Sequence, residues 1–355
     1  MADRERLLRV AVIGCGWFSY NHLHAWREIP EVELVAVCDR DAARARDAAE
    51  AHRVPAWYED ADAMLDAERL DFVDVVTTPP SHRPLVEAVA RRGLPVICQK
   101  PLAIGLDDAR AMVAACRDAG VPLMVHENFR WQSPMRAARR LLDEGAVGRP
   151  FFGRISWRTA RDVFAVQPYL ATEPHLILTD IGVHLLDLAR FYFGEPRALA
   201  CQTLRIRPHI AGEDAATLLL EFDNASCILD CSYSSYAPED LYPQQLLHIE
   251  GTEGTVDVGP HYRLSLARSD GTVEEREVAI HQYPWSTPPI DAAQDSVVAI
   301  QRHWVACLRN GQPPETSGED NLRTLELVDG AYAAAAAGTI YRPTRGEGSG
   351  RGGSA

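Results

Sequence analysis

The sequence contains no apolar run approaching the roughly 18 residues of a membrane span. It opens on MADRERLLRV, a charged stretch that enters a strand-like segment at once, with no leader pattern. It has no excess of basic charge: 36 Lys and Arg stand against 50 Asp and Glu, a net charge of -14. That balance argues against a nucleic-acid partner, whose phosphates demand basic patches, and against an anionic membrane surface. It has no C-x-x-C and no H-E-x-x-H, so no common zinc frame is present. His175, Asp180 and His184 are too loosely framed to suggest a metal, and none is expected. No internal repeat is visible. The eight cysteines (Cys15, Cys38, Cys98, Cys116, Cys201, Cys227, Cys231, Cys307) are scattered, several within apolar strands. Cys227 and Cys231 would share one face of one strand, too far apart to bridge. The expectation is free thiols in a reducing, cytoplasmic setting.

What is present begins with Val10 to Asp39. An apolar run ends in Gly14-Cys15-Gly16, an amphipathic segment follows, and a second apolar run is closed by Asp39, 23 residues after Gly16. Strand, glycine turn, helix, strand and acid, with the acid roughly 20 residues beyond the turn, make a dinucleotide pocket. The glycines let backbone approach a pyrophosphate, and the helix N-terminus at Trp17 and Phe18 offers free N–H groups. Ser19 stands where a third glycine is usual. That position serves helix–strand packing, so a small Ser is tolerated and Ser19→Gly should change little.

Strands at Phe72–Thr77, Pro95–Cys98 and Pro122–Val125 alternate with helices at 42–52, 61–65, 82–92 and 106–119, the pattern of a parallel doubly wound sheet. In such sheets ligands bind beyond the carboxyl ends of the strands. Gly14, Gly16, Asp39, Arg40, Thr77, Thr78, Pro79, His82, Gln99 and Lys100 should therefore border one crevice. From Phe151 the pattern becomes two-residue alternation: eight strands between 152 and 278, interrupted by a helix at Asp180–Phe193, then two helices at 294–308 and 319–337. The expected fold is α/β: a Rossmann domain (1–126), then an α/β domain (127–342) with a large, mostly antiparallel sheet whose last helices pack back on the first. The Gly/Arg/Ser-rich tail 343–355 should be disordered.

Three residues carry candidate chemistry. Lys100 follows a parallel strand directly and is pinned by Pro101, at the edge where the crevice lies. Its ammonium suits a substrate oxygen that develops negative charge. Asp180 and His184, at i and i+4, share one helix face, with Asp180 at the helix start where a carboxylate caps free N–H groups. Histidine titrates near neutrality, as a general base should. On spacing alone, a capping Asp and a core His fit equally well. Asn128 and Arg158 are further candidates for the crevice. His22 and His24 read as packing or capping groups.

These pieces in order resemble the Gfo/Idh/MocA oxidoreductases: Gly14-Cys15-Gly16 with His22; Cys38-Asp39-Arg40; Thr77-Thr78-Pro79-Pro80-Ser81-His82; Gln99-Lys100-Pro101; Glu127-Asn128-Phe129-Arg130; Asp180-Ile181-Gly182-Val183-His184; and Glu250-Gly251-Thr252-Glu253-Gly254. The resemblance implies NAD(P)-dependent oxidation or reduction of sugars, inositols and polyols. Lys100 would contact substrate and nicotinamide, His184 would accept the proton, and Asp180 would orient the sugar. Gln99 replaces the family's Glu, removing a charge from that pocket. Asp39 favours NAD, because a carboxylate accepts the ribose 2′-OH and repels a 2′-phosphate. NADP, which Arg40 could serve, is less favoured. Asn21 to Trp26, Ile97 to Pro101, His126 to Arg130 and Gln167 to Leu170 resemble the family's D-apiose branch, which implies oxidation of a branched pentose to its lactone. The other expectations are an inositol or other sugar dehydrogenase, a glycoside 3-oxidase using NAD, or, outside enzymes, a NAD-binding sensor. A homodimer or homotetramer is also implied.

Overall fold

The computed structural model describes residues 6–344. The stretch 345–355, most of the tail expected to be disordered, lies outside the described residues. Two sheets organise the chain.

The first has six parallel strands, β1 (Leu8–Ile13), β2 (Val32–Cys38), β3 (Ala56–Tyr58), β4 (Phe72–Val75), β5 (Val96–Gln99) and β6 (Leu123–His126), in the order β3-β2-β1-β4-β5-β6. Its central strands are covered on both faces, which explains why VAVI and FVDV read as near-continuous apolar runs. Each buried Val or Ile there contributes on the order of 1.5–3 kcal/mol. Helices α1 (Ser19–Arg27), α2 (Ala42–His52), α3 (Ala61–Ala67), α4 (His82–Arg91) and α5 (Leu106–Asp118) make the crossovers. Asp41 starts α2 by accepting from the N–H groups of Ala43 and Arg44. The three-residue edge strand β3 was not expected from the sequence, being too short to show a two-residue period.

The chain then forms α6 (Ser133–Asp143), β7 (Pro150–Arg158) and α7 (Val183–Phe193). Seven more strands follow: β8 (Ala198–Leu204), β9 (Ala215–Glu221), β10 (Ser226–Ser232), β11 (Leu246–Gly251), β12 (Gly254–Val258), β13 (Arg263–Arg268) and β14 (Val273–Glu277). They order as β14-β13-β12-β11-β7-β10-β9-β8, antiparallel except for the β7–β10 pair. One face packs on α7 and the other is open, so β9 alternates buried and exposed along its length. Cys227, Leu229 and Cys231 point to the packed face, and all eight cysteines are free thiols. Helix α8 (Asp291–Asn310) lies on α1, and α9 (Gly318–Ala337) lies against α5, α7 and β8. No described helix is long and apolar enough to cross a membrane.

Candidate active site

The six-strand order reverses between β1 and β4, the switch point where doubly wound sheets bind ligands. Gly14 sits there at φ +105°, and a Cβ on it would lie 2.5 Å from the Val76 carbonyl oxygen. A Cβ on Gly16 would meet nothing within 4 Å, so that glycine faces an open cradle. The first turn of α1 has no side-chain cap. The hydroxyl of Ser19 donates to the Gly16 carbonyl at 2.6 Å. Ser19 therefore ties the glycine turn down, a role beyond the neutral spacer expected from its size.

Asp39 ends β2 as expected, and its carboxylate organises the turn. One oxygen accepts from the Cys15 N–H at 2.8 Å, the other from the Asp41 N–H at 2.9 Å. Each keeps a lone pair for a ribose hydroxyl. Arg40 and Thr78 are exposed beside it, and Thr77 and Pro79 are half-buried. Trp17 is exposed and Phe18 half-buried at the start of α1. His82 departs from expectation. It is fully buried, with Nδ1 3.0 Å from the Leu102 carbonyl and Nε2 3.0 Å from the Thr77 carbonyl. It secures the loops after β4 and β5 from below and does not face the crevice.

Lys100 follows β5. Its ammonium lies 2.9 Å from both the backbone carbonyl and Oδ1 of Asp180. Two of three ammonium protons are thus engaged, and one is left for a ligand oxygen. Asp180 is not the helix cap it resembled. Its own N–H already donates to the Leu176 carbonyl, within a π-helical turn over Leu178–Gly182 that precedes α7. Its second carboxylate oxygen accepts from the Tyr233 hydroxyl. Burial pushes the Asp180 pKa up, but the Lys100 charge and the bonds from Tyr233 and Lys100 outweigh it and hold the carboxyl below its usual range.

His184 lies one turn on, its ring stacked on Phe129 with centroids 3.7 Å apart and planes within 2°. Nδ1 is hydrogen-bonded to the Glu127 carboxylate, which leaves Nε2 as the available basic nitrogen. Burial, and then the Lys100 charge, depress its pKa well below the usual value, against the opposing pull of Asp180 and Asp187. The imidazole is therefore neutral and able to accept a proton.

Two further candidates do not join this group. Asn128 is buried and donates to the Ser296 hydroxyl on α8 at 2.7 Å. Arg158 lies on the open face of the eight-stranded sheet, because alternation along β7 turns Trp157 inward and Arg158 outward. There it pairs with Asp230 at 3.1 Å. Three residues not assigned to the site from the sequence do join. Tyr233 continues the inward-facing series of β10. His22, read as a packing group, bonds Asp74 and Gln99. Glu127 follows β6, and Gln99 pairs with His126 in the sheet, so Glu127 stands one strand over from Lys100. The strand-end rule that selected Thr77 and Lys100 would have found it. Lys100 is also the only lysine in the chain.

Residues 8–127 match the model of an oxidoreductase family with an NAD-binding Rossmann fold, and residues 135–257 match the GFO/IDH/MocA C-terminal domain. A D-apiose dehydrogenase of Paraburkholderia graminis is 54% identical over 329 residues, covering 92% of this chain and 88% of the relative. The chain belongs to the Gfo/Idh/MocA family of oxidoreductases. A D-apiose dehydrogenase of Rhizobium rhizogenes is 44% identical over 333 residues, 93% of this chain and 96% of that one. The crystal structure of an oxidoreductase from Agrobacterium radiobacter in complex with NAD+, L-tartaric acid and magnesium superimposes with a TM-score of 0.92 at 43% identity, covering 94% of this chain and 98% of that one. As a member of the family, the chain is an oxidoreductase with an NAD-binding Rossmann domain. The residues present fit that cofactor: the space over Gly16, the uncapped start of α1 and the lone pairs of Asp39 match a pyrophosphate and an unphosphorylated ribose.

Proposed function

We propose that this oxidoreductase is a sugar dehydrogenase using NAD to oxidise the anomeric hydroxyl of D-apiose to a lactone. The observation that carries the reading is the cluster at the crevice. One cation with a free donor (Lys100), one carboxylate that holds it (Asp180) and one neutral imidazole (His184) face the strand ends that border the cofactor cradle. The 54% and 44% identical relatives named as D-apiose dehydrogenases support the choice of sugar.

In this mechanism Asp180 fixes the Lys100 ammonium and the Tyr233 hydroxyl. The remaining Lys100 proton binds the substrate oxygen and stabilises charge as the O–H bond breaks. Nε2 of His184 takes that proton. NAD, when bound, supplies the hydride acceptor. Gly14, Gly16, Asp39, Thr77 and Thr78 would hold it at the strand ends, with Trp17, Phe18, Arg40 and Pro79 at the rim. We further infer a homodimer or homotetramer, formed through the open face of the large sheet where Leu204 and Leu219 are exposed. The eight free thiols support a cytoplasmic setting.

The test is a panel of aldopentoses, inositols and glycosides with NAD and NADP separately, read by NADH or NADPH absorbance. Preferred turnover of D-apiose with NAD is expected. Aglycone release without net NADH would point to a glycoside 3-oxidase, and NAD binding without any turnover to a sensor; either overturns the reading.

A further inference from the structure

Glu127 is fully buried at the end of β6. One of its oxygens bonds Nδ1 of His184, and the other has no hydrogen-bond partner. A buried carboxylate on a core histidine is a poor way to gain stability, since well-packed apolar residues of similar size usually do as well or better. A second acid, Asp187, lies three residues after His184 but does not bond it. Arg130 holds that one with bonds of 2.7 and 2.5 Å. Phe129, two residues after Glu127, presses flat on the imidazole. The segment after β6 thus fixes His184 by one ring nitrogen and one ring face.

We infer that Glu127 is a positioning residue for the dehydrogenation, holding His184 with Nδ1 protonated and Nε2 free, and acting as counter-charge to the imidazolium that forms. This rests on the proposed role of His184. The substrate O–H bond breaks and its proton forms a bond to Nε2. The hydride leaves the same carbon for NAD, and the C=O of the product forms. Nδ1 keeps its own proton in the bond to Glu127, and the imidazolium later returns the Nε2 proton to solvent. Glu127 touches neither substrate nor cofactor. The ionisable groups facing His184 are Lys100 from the end of β5, Asp180 and Asp187 from its own helical segment, and His126 and Glu127 from β6, with Arg130 behind Asp187 and Tyr233 behind Asp180. Glu127 alone among them bonds the ring. Burial raises its pKa to about 7, against the opposing charges of Lys100 and Arg130.

The experiment compares Glu127→Gln, Glu127→Asp and His184→Asn in the full chain, measuring kcat, KM for D-apiose and NAD, and kcat/KM against pH. Without the carboxylate the imidazolium is less stable and His184 becomes a weaker base. Glu127→Gln should lower kcat by about 10²-fold, leave both KM values within about twofold, and move the acidic limb of the profile to lower pH. Glu127→Asp, which keeps the charge, should recover part of kcat and return the limb toward its original position. If Glu127→Gln fails to fold, Glu127→Asp against the unmodified protein carries the test, with a smaller shift of the same sign. An unmoved limb, whether kcat falls or not, overturns the role of Glu127. Full activity in His184→Asn would overturn the role of His184 itself. An inactive His184→Asn beside a fully active Glu127→Gln removes only the inference about Glu127.

Discussion

The Nε2 atoms of Gln99 and His22 lie 2.9 Å apart, deep beneath the crevice. His22 Nδ1 is 2.7 Å from the buried Asp74 carboxylate, to which the Trp26 indole also donates. A proton on Nδ1 therefore leaves Nε2 as an acceptor, and the Gln99 amide supplies the donor. The amide oxygen then accepts from the Lys100 N–H at 2.7 Å. The chain Asp74–His22–Gln99 thus ends on the backbone of Lys100. A glutamate at 99 would fit only if His22 were doubly protonated between two carboxylates.

Gln99→Glu should therefore replace the donor facing His22 Nε2 with a second carboxylate and cost on the order of 1–3 kcal/mol of stability. Denaturant unfolding is the check, and an unchanged midpoint would contradict the relay.

The single lysine gives a direct handle on the site. An amine reagent such as pyridoxal phosphate with borohydride has one side-chain target, Lys100, which is partly exposed at 19%. Inactivation should track labelling of Lys100, as measured by peptide mass, and NAD with sugar should slow it. Full labelling of Lys100 with activity intact would contradict its placement.

The two glycines of the turn should fail differently. Gly14→Ala meets the Val76 carbonyl at 2.5 Å in a positive-φ conformation, so loss of fold stability by several kcal/mol is expected. Gly16→Ala meets nothing in the protein. It should keep its melting temperature within a few degrees while NAD affinity falls by about tenfold or more, measured by titration calorimetry.

His126 is fully buried with both ring nitrogens unpartnered. Burial, with His22 beside it, depresses its pKa well below the usual value. Above about pH 6.5 both folded and unfolded states are neutral there. Below it the unfolded chain takes up a proton that the folded chain refuses, at a cost approaching about 1.4 kcal/mol per pH unit. His126→Phe removes that slope. Its stability relative to the parent should rise as pH falls from about 7 to about 5.5, followed by chemical denaturation.

Much of this was legible from residues alone, for physical reasons. Helix α2 was bounded to the residue by its Ala/Arg/Glu-rich composition, and the parallel strands stood out as apolar runs. Lys100 was found because strand ends border the crevice. The parity of β7 was what misled on Arg158: a residue at the end of a strand still points to one face or the other, and only the paired sheet decides which. Asp180 read as a cap because the π-helical turn before α7 leaves no mark in spacing. His82 and Asn128 have the residue types of a binding site, but their partners are backbone carbonyls and Ser296, far off in sequence. The pairing of Glu127 with His184 likewise joins residues 57 apart.

The central claim is that the crevice of Lys100, Asp180 and His184 removes hydride from the anomeric carbon of a sugar. The measurement is oxidation of D-apiose carrying deuterium at that carbon, with mass analysis of the NADH formed. Deuterium on the nicotinamide and a lactone as product are expected, both abolished in His184→Asn. Unlabelled NADH, or a sugar product that retains the deuterium, would contradict it.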